Sequence, residues 1–415
     1  MQKLLVEGGL RLGGRVEIAG AKNAVLKLMA ATLLGKGTFQ IRNVPMIKDV
    51  FTMQGMLSSL GPKISLANNV MEIKVDELSG DATSKLVQQM RASIQVLGPL
   101  LARLGKVTIS LPGGCAIGDR PIDLHLDNLE KLGARFFYDN GYIVGEATQL
   151  VGTELVLSYP SVGATENLMM AACLAEGTTI IRRAAKEPEI VDLQNFLNKM
   201  GARVVGAGTE TIRIDGVKSL HETEFSVSPD RIEAGTFVIA GAITGDEIEI
   251  ENVESKHLES LLVVLKNCNV HFTVEKKRIV IHQRRKPLTG TNIVTGPYPA
   301  FPTDLQPQFT ALMTVAKGNS EIKETVYNNR FQHAIELQKM GANITLNSSS
   351  ARITGVEKLV GTSVTAADLR GGAALVVAAL VADGITEISG VEHIDRGYEN
   401  FEHKLNALGA KVWRQ

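Results

Sequence analysis

Neither sign of charge is in excess in this chain: its 44 basic and 44 acidic side chains cancel. No global field therefore draws it to nucleic acid or to an anionic membrane, and any anion site must be built locally from a few converging Lys and Arg. No apolar run reaches the length of a membrane span. The opening MQKLLVEGGLRLGG has neither a long apolar core nor a small-residue cleavage site, so no secretory signal is expected. Cysteine is scarce. Cys115, Cys173 and Cys268 are odd in number and far apart, which argues against a disulfide framework and for free thiols in a reducing cytoplasm. CxxC, HExxH and tight His/Asp clusters are missing, so no metal is expected. What is plentiful is glycine, 40 residues, beside an apolar fraction of 44%. That combination suits a globular protein with many tight turns, and 415 residues suit two or three domains.

An internal repeat organises the chain. An apolar residue, a glycine and then a strand recur at Leu60-Gly61-Pro62, Leu132-Gly133-Ala134, Met200-Gly201-Ala202, Met340-Gly341-Ala342 and Leu408-Gly409-Ala410, with a degenerate copy at Asn267-Cys268-Asn269. The six copies lie roughly 70 residues apart, longer than common solenoid repeats. Each unit predicts a helix rich in Ala, Leu and Met, such as 164–175, then a glycine stop as at Gly37, Gly177, Gly318 or Gly384. A short β-branched strand follows, as at 178–181, 247–250 and 385–388. A second, amphipathic helix such as 191–200 leads into the glycine phrase, and an alternating strand such as 212–214 or 351–353 closes the unit. Six such units suggest two pseudo-symmetric lobes of three, with the apolar helices buried in each lobe.

In a repeat protein, chemistry should sit where one copy departs from the others. The segment Leu111-Pro-Gly-Gly-Cys115-Ala-Ile-Gly-Asp-Arg120-Pro121 puts a lone thiol in a glycine-rich loop five residues from a fixed cation, a placement for chemistry on an anion. A glycine-rich turn with an incidental cysteine is the plainer alternative. At Gly20-Ala21-Lys22-Asn23 a helix begins with a cation, although cations favour the opposite helix end; Lys22 there implies a compensating negative ligand, or else a solvated surface lysine. Proline-rich Tyr298–Pro302 stiffens the approach to Asp304, which fits either an N-terminal helix acid or a general base on a rigid turn. Asp368 with Arg370, and Asp395 with Arg396, read as surface ion pairs or as cations aimed, with Lys22, Arg91 and Arg120, at a small charged anion. Cys173 and Cys268 read as structural, Cys173 in an apolar helix. His125 and His393 lie in the motifs but are not read as general bases.

With these residues in place the chain closely resembles the enolpyruvyl transferases, in particular the branch that acts on a nucleotide sugar. The likeness runs through GAKNAVL at 20–26, MRAS at 90–93, LPGGCAIGDRPIDLH at 111–125, PSVGATEN at 160–167, AFPTDLQPQ at 300–308, NRFQH at 329–333, DLRGG at 368–372 and HIDRGYE at 393–399. The shikimate-phosphate branch shares the six-unit fold but not the cysteine loop. The resemblance implies an α/β fold of two inside-out barrels (an inverse α/β prism), one lobe over 22–228 and the other over 1–21 and 229–415, with a cleft between them and the cysteine loop as a lid.

It also implies transfer of enolpyruvate from phosphoenolpyruvate to the 3-hydroxyl of UDP-N-acetylglucosamine, the first committed step of peptidoglycan precursor synthesis, with no cofactor and no metal. Cys115 matches the acid that protonates C3 of phosphoenolpyruvate, and a thiol near its reference pKa of about 8.5 stays mostly protonated at neutral pH. Asp304 matches the base on the sugar hydroxyl. Lys22, Arg91, Arg120, Arg370 and Arg396 match the cationic cluster, and Asn23 and Asp368 match residues that orient the reacting groups. The nucleotide sugar is expected along Arg120, Pro121, Ile122, Asp123 and Leu124, along Ser161, Val162 and Gly163, and along Val326 and Tyr327. Tyr159, where some members have lysine, and Asn328, where glutamate is frequent, depart from the pattern and bear on affinity. The expected protein is a cytoplasmic monomer that binds phosphoenolpyruvate and UDP-N-acetylglucosamine and neither nucleic acid nor membrane. Two other readings stand beside it: a transferase with a different acceptor, and a non-catalytic or regulatory paralogue that binds nucleotide sugar.

Overall fold

A computed structural model describes residues 2–111 and 121–415. The chain divides into two compact units, one holding residues 20–111 and 121–228 and the other holding 2–19 and 229–415. Within each unit the same sheet recurs three times among the described residues. In the first unit, Asp81–Ala82 runs parallel to Lys106–Ser110, which pairs antiparallel with Tyr142–Glu146 and through it with Arg135–Asp139. Glu154–Val156, Thr178–Arg182, Thr211–Asp215 and Arg203–Val205 repeat that order. So do Glu224–Ser226, Gly35–Arg42, Val70–Val75 and Lys63–Ala67.

The second unit follows suit. Its sheets are Gly14–Glu17 with Ile248–Glu251, Arg278–Ile281 and Phe272–Glu275, and Ile293–Val294 with Asn319–Lys323, Ser350–Thr354 and Asn343–Leu346. The last joins both chain ends: Ser363–Thr365, Ile385–Ser389, Leu4–Glu7 and Lys411–Arg414, with Val6 opposite Thr386 and Val412.

The helices divide into two kinds, as their side chains dictate. Lys22–Ala31, Leu97–Leu104 and Val162–Ala172 in one unit, and Arg231–Thr244, Gln306–Thr314 and Leu369–Ala379 in the other, are small-residue helices buried along most of their length. Apolar over most of their surface, they suit an interior, and Lys27 and Glu166, which two of them bury, pair with each other. The helices Lys48–Ser59, Asp123–Lys131, Pro188–Lys199, Glu259–Asn267 and Gln332–Lys339 bury one face and expose the other. Aromatic packing ties the layers together, for example Phe237 edge-on to Phe401 at 5.7 Å.

The glycine phrase explains how each amphipathic helix stops. Gly61, Gly133, Gly201, Gly341 and Gly409 all take left-handed backbone, φ from 91° to 115°. At the degenerate copy, Asn269 takes the same conformation at φ 64°, so the structural register is Cys268-Asn269-Val270 and asparagine stands in for glycine. Two sequence expectations shift. The buried helix expected at 164–175 runs Val162–Ala172, because the Ser161 hydroxyl caps it by accepting from the Ala164 N–H at 3.3 Å. Gly37 is not a helix stop but lies inside the strand Gly35–Arg42, since the Lys22–Ala31 helix ends through a 3-10 turn at Thr32–Leu34.

Candidate active site

In the 20–228 unit the site residues gather at the heads of helices. Lys22 opens the Lys22–Ala31 helix, and its Nζ lies 2.9 Å from Asp49 Oδ2, with both side chains largely buried. Lys22 is thus not the solvated surface lysine that the sequence also allowed. An anion is already supplied by Asp49, from the first turn of Lys48–Ser59. Asn23 follows, and its carbonyl accepts a 2.6 Å hydrogen bond from Lys27 Nζ one turn on. Lys27 is also 3.4 Å from Glu166 Oε2, which is fully buried. Gln95 Nε2 donates to that same oxygen at 3.3 Å and to the Gly163 carbonyl at 3.1 Å. Val162 and Gly163 form the first turn that Ser161 caps.

Arg91 opens the 3-10 turn Arg91–Val96 that carries Gln95. Pro121 and Ile122 lead into Asp123–Lys131, with Asp123 and Leu124 in its first turn; Pro121 and Asp123 are exposed and Ile122 is buried. His125, next along, is buried, and its Nδ1 accepts from Asn167 Nδ2 at 3.0 Å, a tautomer that leaves the ring proton on Nε2. Burial, aided by the charge of Arg91, pushes its pKa down to about 3, so the ring is neutral. Tyr159 is exposed. Cys115 and Arg120 lie outside the described residues.

In the 229–415 unit a single carboxylate is the focus. Asp304 sits in the 3-10 turn Thr303–Leu305, just beyond a cis Tyr298–Pro299 bond. Its Oδ1 accepts from Arg330 Nη2 at 2.8 Å, and its Oδ2 accepts from Arg370 Nη2 at 3.3 Å and Nε at 3.4 Å. Both guanidinium groups are almost wholly buried, which lowers their pKa values; Asp304 and Asp368 outweigh this at Arg330, and Tyr398 with Asp304 and Asp230 outweighs it at Arg370, so both stand above the ordinary arginine range. Arg370 also lies over the Tyr398 ring at 5.3 Å. Asp304 is thus both the acid of that first turn and the shared partner of two guanidinium groups. The reading of Asp368 as the ion partner of Arg370 is corrected: Asp368 Oδ1 caps Leu369–Ala379 by accepting from the N–H groups of Arg370 and Gly371, both at 3.0 Å.

Asp395 likewise turns away from Arg396. Its two oxygens take Arg414 Nη1 at 3.0 Å and Nη2 at 2.7 Å, while half-buried Arg396 follows the short helix Val391–Ile394. Val326 and Tyr327 lie together in the turn after Asn319–Lys323, their N–H groups donating to Glu324 Oε1 at 2.8 and 3.2 Å; Asn328 is exposed. Among the described residues no group of three or more His, Cys, Asp or Glu is placed to hold a metal, and no helix is long and apolar enough to cross a membrane.

The chain matches the sequence profile of EPSP synthase (3-phosphoshikimate 1-carboxyvinyltransferase) over residues 6–405. It belongs to the EPSP synthase family. Within the family, relatives named UDP-N-acetylglucosamine 1-carboxyvinyltransferase are similar along their whole length. The form numbered 1 from Caldanaerobacter subterraneus is 52% identical, covering 100% of this chain and 99% of the relative. That of Desulfovibrio desulfuricans is 46% identical with 100% of both chains covered. Among solved structures, the enolpyruvyl transferase NikO from Streptomyces tendae superposes with a TM-score of 0.91 at 24% identity, over 100% of this chain and 99% of that one. EPSP synthase from Acinetobacter baumannii gives 0.79 at 19%, over 100% of both chains. The fold is thus the mixed α/β fold of the EPSP synthase family.

Around this family's site, the structure adds residues that the sequence did not single out. Asp49, Glu166 and Gln95 stand behind Lys22, Asn23 and Gly163, while Thr303, Glu324, Arg330 and Tyr398 stand around Asp304. Glu166, Thr303, Arg330 and Tyr398 lie within the motifs PSVGATEN, AFPTDLQPQ, NRFQH and HIDRGYE, whereas Asp49, Gln95 and Glu324 lie outside all of them.

Proposed function

We propose that this chain transfers enolpyruvate from phosphoenolpyruvate to the 3-hydroxyl of UDP-N-acetylglucosamine with release of phosphate, the first committed step of peptidoglycan precursor synthesis. The observation that carries the reading is full-length identity of 45–52% to relatives bearing that activity in their names. The residues supply the chemistry. Cys115 donates a proton to C3 of phosphoenolpyruvate, which makes C2 electrophilic. Asp304 takes the proton of the sugar hydroxyl as its oxygen adds to C2. Loss of a C3 proton and departure of phosphate from C2 then restore the double bond. Lys22, Arg91, Arg120, Arg370 and Arg396 hold the phosphate and carboxylate and stabilise developing charge. Asn23 and Asp368 orient the reacting groups.

The nucleotide sugar runs along 120–124, Ser161–Gly163 and Val326–Tyr327. The six recurring sheets are read as six copies of one unit, three to each inside-out barrel. Two buried free thiols, Cys173 and Cys268, fit a reducing cytoplasm, where the enzyme is read as a monomer.

The test is phosphate release from phosphoenolpyruvate, with and without UDP-N-acetylglucosamine, for the wild type and Cys115→Ala. Release that requires the nucleotide sugar and falls by at least about 100-fold in the variant supports the reading. Folded wild type that releases no phosphate overturns it.

A further inference from the structure

A buried carboxylate joins the two functional segments of the 229–415 unit. Glu324 is 4% exposed. Its Oε1 accepts from Thr295 Oγ1 at 2.8 Å, from the Val326 N–H at 2.8 Å and from the Tyr327 N–H at 3.2 Å. Its Oε2 accepts from Thr303 Oγ1 at 2.8 Å. Thr303 immediately precedes Asp304, and its hydroxyl oxygen in turn accepts from Arg330 Nη1 at 2.9 Å, while Arg330 Nη2 holds Asp304. A continuous chain of hydrogen bonds thus runs from Val326 and Tyr327 through Glu324, Thr303 and Arg330 to Asp304. A glutamate suits the hub because four donors converge on it and a carboxylate offers only acceptors. An amide there would offer one acceptor oxygen in place of two and leave a threonine hydroxyl proton without its acceptor.

We propose that Glu324 and Thr303 are positioning residues that set the Asp304 carboxylate in register with the Val326–Tyr327 segment. This rests on the roles assigned to Asp304 and to that segment under the proposed function. Each arm of Glu324 then controls a different kinetic quantity. The Oε1 arm shapes the turn that meets the nucleotide sugar and so its KM. The Oε2 arm, through Thr303 and Arg330, aims the base and so governs kcat.

Steady-state kinetics of Thr303→Val, Thr303→Ser and Glu324→Gln, each checked for folding by circular dichroism, separate the arms. Thr303→Val keeps the shape and loses the hydroxyl, so kcat falls about tenfold while KM for UDP-N-acetylglucosamine holds. Thr303→Ser keeps the hydroxyl and retains kcat, the reverse of what a packing role would give. Glu324→Gln lowers kcat and also raises that KM. If Thr303→Val matches Thr303→Ser, or if folded Glu324→Gln leaves KM unchanged, the proposal is wrong while the transferase reading stands. A wild type that releases no phosphate removes both. If Glu324→Gln does not fold, the contrast between the two Thr303 variants alone decides.

Discussion

Glu166 and Glu324 are both buried glutamates, one in each unit, and both stand behind segments assigned to substrate. Their surroundings differ. Four donors converge on Glu324, three of them at 2.8 Å. Glu166 has Gln95 at 3.3 Å and Lys27 at 3.4 Å on one oxygen, while Oε1 has no hydrogen-bond partner among the described residues. Burial pushes the Glu166 pKa up to about 8; the charge of Lys27 opposes the rise, and those of Glu189 and Glu187 add to it. Burial alone therefore does not decide what a carboxylate contributes. The count and distance of its donors decide how firmly it is held.

The comparison breaks most readily at Glu324. Glu324→Gln removes the acceptor that the Thr303 or Thr295 hydroxyl proton uses, and its expected cost is about 3 kcal/mol. Glu166→Gln should cost nothing at pH 7, because the amide replaces a carboxyl that is mostly protonated in the native state but ionised in the unfolded chain. Urea unfolding of the two variants side by side measures the gap. Equal losses would mean that burial, and not donor count, sets the cost.

Asp49 sharpens the point, because it lies in the same unit as Glu166 but is well paired, 2.9 Å from Lys22. If local donors matter and the unit does not, Asp49→Asn should resemble Glu324→Gln more than Glu166→Gln, with a loss of about 3 kcal/mol. Its kinetic signature is distinctive. Asp49→Asn frees the Lys22 charge for the anion, so KM for phosphoenolpyruvate falls, whereas Lys22→Met raises it about tenfold or more. Shifts of the same sign in both variants would count against Lys22 as a ligand of that anion.

Much of the scaffold is legible in the sequence because its signals are local. The left-handed turns at Gly61, Gly133, Gly201, Gly341 and Gly409 are written as glycine, and the apolar character of 231–244 and 369–379 marks interior helices. Even the degenerate copy is readable once Asn269 is seen to tolerate the same backbone. The wiring around the site is not legible, because its partners are distant in sequence or hidden behind nearer candidates. Arg370 is two residues from Asp368 yet reaches Asp304, 66 residues away. Asp395 adjoins Arg396 yet binds Arg414. Adjacency suggests ion pairs at both places, whereas helix capping and strand pairing redirect them. Lys22 shows the same limit: nothing near it in sequence announces Asp49, which only tertiary packing brings close.

The subtlest test is the pH dependence of Glu166. Folding raises its pKa from the ordinary carboxylate range to about 8, so between those values the native state holds more protons than the unfolded chain. Its contribution to stability is therefore complete at low pH and is lost as pH rises through about 8. Asp192, which burial pushes up to about 6, adds a loss of the same sign at lower pH and is common to both proteins. His125 and His333, whose burial pushes them down to about 3 and about 4, act in the opposite sense, costing stability as pH falls below the ordinary histidine range. They too are shared by both proteins and cancel in the difference. The stability of Glu166→Gln minus that of the wild type should thus grow steadily more positive as pH rises from the ordinary carboxylate range to about 8 and level off above it. Melting temperatures across that range measure it. If the difference is instead negative at high pH, the attraction of Lys27 outweighs the burial of the charge, and Glu166 is a fixed strut like Glu324.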